Sequence, residues 1–220
     1  MRLGIYCAAA MLAVASAAAA TPTLNQVNDF QAGQVSGWTN GGSATDPVLV
    51  STGGPAGTGD AFLRVSATGG GGAGSHLVTF NTNQRWTGNF TSAGVTAVTM
   101  NLKNFGTAPL SMRIAFDDTS GTWYASTQGF ALPADNAWHS ARFELAPAAL
   151  TRVSGSATAA TALTHVTEFR ILHSASPDYR GAQVAGSFGV DNITAAPEPA
   201  AFAILFTASL PLVARRRRQI

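Results

Sequence analysis

Short apolar runs with a period of two recur along most of the chain. In residues 110–116 a large apolar side chain occupies every second position, and polar or small residues fill the positions between. Because successive side chains of a strand point to opposite faces, this pattern predicts a strand with one buried face. Residues 117–121 read as a turn, and residues 122–127 return as the hairpin partner.

Other segments show the same alternation, and no stretch of twelve residues keeps a helical period. The further predicted strands are residues 62–66, 76–80, 98–102, 141–145, 166–172 and 187–194. Glycine, proline, asparagine and aspartate separate them. About eight short strands of this kind predict an all-β fold, an antiparallel two-sheet sandwich of the jelly-roll type.

The two ends of the chain differ from this pattern. Arg2 precedes an apolar run over residues 3–14, and Ala18 and Ala20 supply the small residues that signal peptidase requires. We therefore predict a signal peptide over residues 1–20. Cys7, the only cysteine, lies inside it, so the mature protein would contain no disulfide.

At the other end, Pro197, Glu198 and Pro199 precede an apolar run over residues 200–214. A cluster of basic residues then follows: Arg215, Arg216, Arg217 and Arg218. The run predicts an apolar helix that is short for a membrane span, which needs roughly 20 residues. Arginines favour the cytoplasmic side, so we expect a transient membrane anchor with the upstream domain outside.

This order of three parts resembles the PEP-CTERM sorting signal of Gram-negative bacteria. The resemblance implies export across the inner membrane, processing by signal peptidase and exosortase, and a cell-surface or extracellular location. It divides the chain into a signal peptide (1–20), a β-sandwich domain (21–196) and a sorting signal with a short transmembrane helix (197–220).

The charge balance changes once these ends are set aside. Residues 21–196 contain eight basic and ten acidic side chains, a formal charge of −2. Nucleic-acid binding requires a basic stripe, so that class of partner is excluded.

Three aspartates suggest a calcium site. Asp29 opens the domain, Asp60 follows a glycine-rich turn, and Asp191 lies in the last predicted strand. The first and last strands of a jelly roll often run side by side, so these carboxylates could converge, and calcium prefers such oxygen ligands. Alternatively, the aspartates cap turns or pair with arginines such as Arg64.

The segments around these aspartates also carry a resemblance. Asp-Phe and Gly-Trp (29–30, 37–38), Gly-x-Gly-Asp-x-Phe-Leu (57–63) and Val-Asp-Asn-Ile (190–193) resemble galactose-binding-like jelly rolls of the carbohydrate-binding-module type. Many members hold a structural calcium near their termini. The resemblance implies Asp29, Asp60 and Asp191 as its ligands.

Aromatic residues in polar surroundings are candidates for glycan contacts, because aromatic faces stack on sugar rings. They are Trp86, Trp123, Tyr124 and Tyr179. Trp123 and Tyr124 are adjacent on a strand and must point to opposite faces. Trp38 and Trp138 begin apolar segments and are predicted to be core. Packing in the core is the alternative for each candidate.

Enzyme signatures are missing from the sequence. The domain contains no Gly-x-Ser-x-Gly elbow, no zinc-type histidine spacing and no phosphate loop. We therefore expect an exported, non-enzymatic surface or matrix protein that binds exopolysaccharide. The alternatives are a purely structural or adhesive protein, and a carbohydrate-active enzyme acting through Glu144 or Glu168.

Overall fold

The computed structural model describes residues 22–42 and 44–198. The predicted signal peptide and the sorting signal beyond Glu198 lie outside these residues. The described chain forms an antiparallel two-sheet β-sandwich. Its strands are β1 (Val27–Asn28), β2 (Val48–Val50), β3 (Phe62–Thr68), β4 (Val78–Asn81), β5 (Ala97–Asn104), β6 (Leu110–Asp118), β7 (Trp123–Ser126), β8 (Phe130–Leu132), β9 (Trp138–Glu144), β10 (Leu150–Ser154), β11 (Val166–His173) and β12 (Ala185–Ala196).

Helical structure in the described residues is limited to one short helix, α1 (Ala159–Ala162), and a 3₁₀ turn at Pro147–Ala149. The hydroxyl of Thr158 caps α1 by accepting a bond from the backbone N–H of Thr161. None of the helical residues between 22 and 198 forms a segment long and apolar enough to cross a membrane.

Two sheets pack face to face. The first sheet has the order β2-β3-β12-β5-β9, with β1 added along β12. The second sheet has the order β10-β7-β6-β11-β4, with β8 added along β6. The pairing of β1 with β12 confirms that the first and last strands run side by side.

The apolar residues of the alternating segments form the core between the sheets. Met112, Ile114 and Phe116 of β6 are fully buried and belong to the same core as the β5 residues Val98 and Leu102. The predicted β6–β7 hairpin is confirmed by its register, which sets Phe116 opposite Tyr124.

Two of the aromatic residues predicted to contact glycan belong to this core. Trp86 is 1% exposed and packs against Trp38 and Phe169. Its indole N–H and that of Trp38 both donate to the side-chain oxygen of Asn28, a buried polar residue. The prediction of Trp86 as a glycan contact is therefore wrong, since its ring has no open face.

Tyr124 is corrected for a similar reason. Its ring is 6% exposed, stacks on Phe116 inside the sandwich, and its hydroxyl donates to the carbonyl of Ala157. Trp138, predicted to be core, is instead half-buried outside it, because β9 pairs it with Lys103 on the outer face of the first sheet.

Candidate functional site

The outer face of the second sheet presents a row of chemically varied side chains. Trp123 of β7 lies opposite Asp117 of β6, which lies opposite Glu168 of β11. One row along, Arg170 of β11 lies opposite Phe80 of β4. A β-bulge between Val166 and Glu168 sets this register.

Two of the predicted glycan contacts come together on this face. The rings of Trp123 and Tyr179 stack at a centroid distance of 4.5 Å with an interplanar angle of 18°. The guanidinium carbon of Arg170 lies 4.4 Å from the centroid of the Trp123 ring and 5.7 Å from that of Tyr179. We call these three residues the aromatic platform.

Arg170 is not among the site residues predicted from the sequence. Its position between Phe169 and Ile171, which are both buried, already places it on the outer face by strand alternation. What the sequence could not show is that Tyr179, from a distant loop, lies against the same guanidinium.

The loop over residues 174–184 carries Tyr179 across the sheet. Arg113, which is buried, donates to the carbonyls of Ser174 and Ala175 at the start of the loop, both at 3.0 Å. Arg170 Nη1 donates to the carbonyl of Tyr179 at 2.8 Å. These bonds hold the loop, and with it the Tyr179 ring, in a fixed place on the sheet.

Charges on this face are paired or partly buried. Arg170 Nε donates to Glu168 Oε1 at 2.5 Å, so these two charges neutralise each other. Burial raises the pKa of Asp117, while the hydroxyl of Thr167 and the charge of Arg170 favour its ionised form. The face therefore combines aromatic surface with hydrogen-bonding groups.

A cavity of about 280 Å³ opens beside the platform. His76, Phe80, Arg170 and Arg180 line it, together with Asn40 and the glycine-rich residues 72–74. The side-chain amide of Asn40 is already engaged with Thr45, Ser66 and Gly42. The free polar surface of the cavity is thus supplied by the arginines and the histidine.

The three predicted calcium ligands lie at the opposite sheet. Asp191 is 0% exposed, and it has no ion-pair partner among the described residues. Burial is the main cause that raises its pKa to about 7; the negative charges of Asp60 and Asp29 contribute to the rise, and a bond donated by the backbone of Asn192 opposes it. Asp60 and Asp29 are therefore close enough for their charges to act on Asp191.

Local backbone geometry positions Asp191. The register of β12 with β5 shifts between Asp191 and Thr194, and Asn192 adopts a left-handed φ of 51° within the irregularity. Asn192 also donates from its side-chain amide to Asn101 on β5. The register sets Asp191 opposite Asn101 on the outer face of the first sheet, directly before this irregularity.

Oxygen atoms also gather around Gln31, next to Asp29. Its amide nitrogen lies 2.8 Å from Asp60 Oδ1, 2.9 Å from the carbonyl of Asp29 and 3.2 Å from that of Ala61. A primary amide has only two hydrogens, so three oxygens exceed what it can satisfy. These carboxylate and carbonyl oxygens outnumber the hydrogens of the amide, and they are the types of ligand that calcium prefers.

Side chains alone do not supply enough ligands for a calcium ion at this place. In the part of the chain that the structure describes, no three histidine, cysteine, aspartate or glutamate side chains gather closely enough to hold a metal by themselves. A calcium ion would need main-chain carbonyls, such as those of Asp29 and Ala61, beside the carboxylates. Asp60 also caps the glycine turn by accepting from the backbone of Ala56.

Comparison with known proteins identifies the fold. No protein-family model matches the chain, and no curated protein matches it in sequence. Among solved structures it is similar to an exo-β-agarase, with a TM-score of 0.54 and 14% identity over 80% of this chain. The match spans 26% of the agarase chain, about a quarter of its length.

A second similar structure is the family 11 carbohydrate-binding module of a cellulosomal cellulase from Clostridium thermocellum. The TM-score is 0.50 and the identity 15%, and the match covers 82% of this chain and 99% of the module. These similarities show a shared fold, the jelly roll of carbohydrate-binding modules. The resemblance to that class is confirmed for the fold, whereas the sorting signal stays a prediction.

Proposed function

We propose that this protein is a non-catalytic glycan-binding module that contacts extracellular polysaccharide through the aromatic platform. The observation that carries the proposal is the stacked pair of Trp123 and Tyr179, held against Arg170 on the outer face of the second sheet. Each of these rings covers one face of the other, so a pyranose ring would place its C–H groups on a remaining aromatic face, and neighbouring polar groups would bond its hydroxyls. Arg170 and Asp117 supply donor and acceptor groups beside the rings.

Pre-organisation supports a binding role. Arg113 and Arg170 fix the backbone of the loop that carries Tyr179, so little ordering is needed when a ligand arrives. A site that is already ordered loses less entropy on binding. The fold class, which includes a carbohydrate-binding module among its solved members, agrees with this proposal but does not carry it.

Affinity electrophoresis of the full chain through gels containing neutral and acidic polysaccharides tests the proposal. Trp123→Ala should abolish retention, because it removes half of the stacked pair. Trp138→Ala is the matched control: it removes another half-buried tryptophan, from the outer face of the opposite sheet. Equal retention of the wild type and Trp123→Ala would refute the platform.

We further propose that the protein is exported and sorted by exosortase to the cell surface or medium. Arg2 with the apolar run over residues 3–14 supports export, and Pro197, Glu198 and Pro199 before the apolar run and arginine cluster support sorting. Intact-mass analysis of membrane and medium fractions tests this. A released species running from Thr21 to near Pro197 is expected. A full-length C-terminus in every fraction would contradict sorting.

Calcium is proposed as a structural ion held by Asp29, Asp60, Asp191 and nearby carbonyls. Its chemistry would be electrostatic: it would offset the negative charge around the buried Asp191 and tie β1 and β12 to the glycine turn before β3.

Hydrolysis of glycan is the second candidate, favoured by one observation. Asp117 and Glu168 are register partners on the face that carries the platform. Burial raises the pKa of Asp117, as a general acid requires. Turnover of a polysaccharide that disappears in Glu168→Gln, with binding retained, would replace the non-catalytic proposal.

A further inference from the structure

We propose that the cavity beside the platform recognises an anionic substituent, a carboxylate or sulfate group, so that the polysaccharide bound by this protein is acidic. The inference rests on the proposed glycan-binding function and specifies its class of ligand. It starts from the side chains that line the cavity: Arg180, Arg170 and His76, with no acidic residue among the lining residues.

The nearby carboxylate of Asp178 accepts from the backbone N–H groups of Tyr179 and Arg180, and the unpaired charge of the cavity is the guanidinium of Arg180. Arg180 forms no ion pair within residues 22–42 and 44–198, whereas Arg170 is neutralised by Glu168. Its Nε donates to the hydroxyl of Tyr179 at 3.3 Å, and its guanidinium carbon lies 5.4 Å from the centroid of that ring. Both terminal nitrogens of Arg180 therefore remain available for a planar anion, which arginine binds through two parallel hydrogen bonds.

His76 ties the loop that carries Arg180 to the wall of the cavity. Its Nδ1 lies 2.6 Å from the carbonyl of Gly181, so Nδ1 must carry a hydrogen and donate to that oxygen. In the neutral ring Nε2 is then an acceptor, so Arg180 supplies the donors for an anion in this cavity. Gly181 has a φ of +80°, and a Cβ at this position would lie only 3.0 Å from the carbonyl oxygen of Leu77 and 3.2 Å from Cβ of Val78, so glycine allows the loop to pack closely against the start of β4. This close approach brings Arg180 to the same cavity as His76.

The position of the cavity explains why a charged sugar is expected, rather than a free ion. Arg170 belongs to both the cavity and the platform, so a sugar ring stacked on Trp123 or Tyr179 would place a substituent of a neighbouring residue near Arg180. The domain over residues 21–196 has a formal charge of −2, so non-specific attraction for polyanions does not account for such binding.

Paired polysaccharides that differ only in charge test the proposal on the full chain. Dextran sulfate against dextran reports sulfate recognition, and polygalacturonate against its methyl ester reports carboxylate recognition. We expect tighter binding to the anionic member of at least one pair. Arg180→Ala should then weaken that binding at least about tenfold, the loss expected for charge-assisted hydrogen bonds.

Arg64→Ala is the matched control. Arg64 also lies over an aromatic ring, 4.8 Å from the centroid of Phe105, but on the first sheet. Equal losses in both variants would indicate general electrostatic attraction and overturn the inference. Trp123-dependent binding with no preference for anions would overturn it while leaving the glycan-binding proposal intact. No binding to any of the four polymers would overturn both.

Discussion

At the scale of single residues, Asp191 is the buried acid on which the calcium proposal depends. It lies near Asp60 and Asp29 without a basic partner among the described residues. Calcium should therefore raise the melting temperature of the wild type relative to protein in EDTA, because ligand bound only to the folded state stabilises it. Differential scanning calorimetry should show no such shift in Asp191→Asn. Asp135→Asn, at an exposed turn, is the control, and calcium should raise its melting temperature as in the wild type. A calcium-induced rise of the melting temperature in Asp191→Asn would contradict the site.

The same carboxyl predicts a pH dependence in the metal-free protein. Its folded pKa is about 7, above the ordinary value of 3.8, so between these values the folded chain binds a proton that the unfolded chain does not. The free energy of unfolding should fall as the pH rises from about 4 to about 7, by up to about 4 kcal/mol, and then level off. Denaturation in EDTA across this range should show a clearly smaller decrease in Asp191→Asn. The same decrease in both proteins would contradict the assignment.

Trp86 shows where residue-level prediction failed. Its sequence neighbours are polar, which suggested an exposed ring, but the partner of its indole N–H is Asn28, 58 residues away. No local pattern contains that information. The prediction that Trp123 and Tyr124 point to opposite faces is confirmed, but the sequence does not say which of them is outside. The contacts of Trp123 with Tyr179 and Arg170 depend on a loop and a register that the sequence does not display.

Truncation of the buried ring tests this correction. Trp86→Ala should lower the free energy of unfolding by about 3–5 kcal/mol, because it leaves a cavity beside Trp38 and Phe169. Trp138→Ala, at a half-buried position, should cost less. Urea denaturation measures both, and a smaller loss for Trp86→Ala than for Trp138→Ala would contradict the core placement.

At the scale of elements, the alternation of residues 110–116 was enough to predict β6 and its buried face. The order of strands within each sheet was not predictable in this way, because the pairing of β12 with both β3 and β5 joins segments far apart in sequence. The placement of Trp138 was predicted wrongly for this reason. Its apolar surroundings suggested the core, and only the register with Lys103 places it outside.

The loop over residues 174–184 depends on one buried side chain of β6. Arg113 donates to four carbonyls, those of Ser126, Thr127, Ser174 and Ala175. Arg113→Ala should lower the free energy of unfolding by about 2–4 kcal/mol, since it leaves these acceptors without a donor. It should also speed proteolysis within the loop and weaken glycan retention, whereas Arg152→Ala, an exposed residue with one such bond, should do neither. Unchanged proteolysis would show that Arg113 does not hold the loop.

At the scale of the whole molecule, the described domain separates two kinds of site. The platform and the cationic cavity lie on the second sheet, while the candidate calcium ligands belong to the first sheet and to the loops that meet it. Calcium and glycan binding should therefore stabilise the fold additively, since distant sites without shared partners act independently. The aspartates and the aromatic residues of these two sites were predicted from the sequence by residue type. Their positions on different sheets could be read only from the order of the strands.

The end of β12 makes the sorting proposal compatible with a stable product. Its last ladder pair with β5 joins Ala196 to Ala97, and Arg142 donates to the carbonyl of Pro197 at 3.0 Å. A chain ending after Pro197 should keep the unfolding free energy of the full chain to within about 0.5 kcal/mol, because no ladder pair is lost. A chain ending after Asn192 loses the pairing of β1 with β12 and three pairs of β12 with β5, and should not unfold cooperatively. Circular dichroism melts of the two truncated chains and the full chain measure the difference. A product ending at Pro197 that melted like the Asn192 product would mean that residues beyond Pro197 are part of the folded domain, and that exosortase processing near this point could not release an intact module.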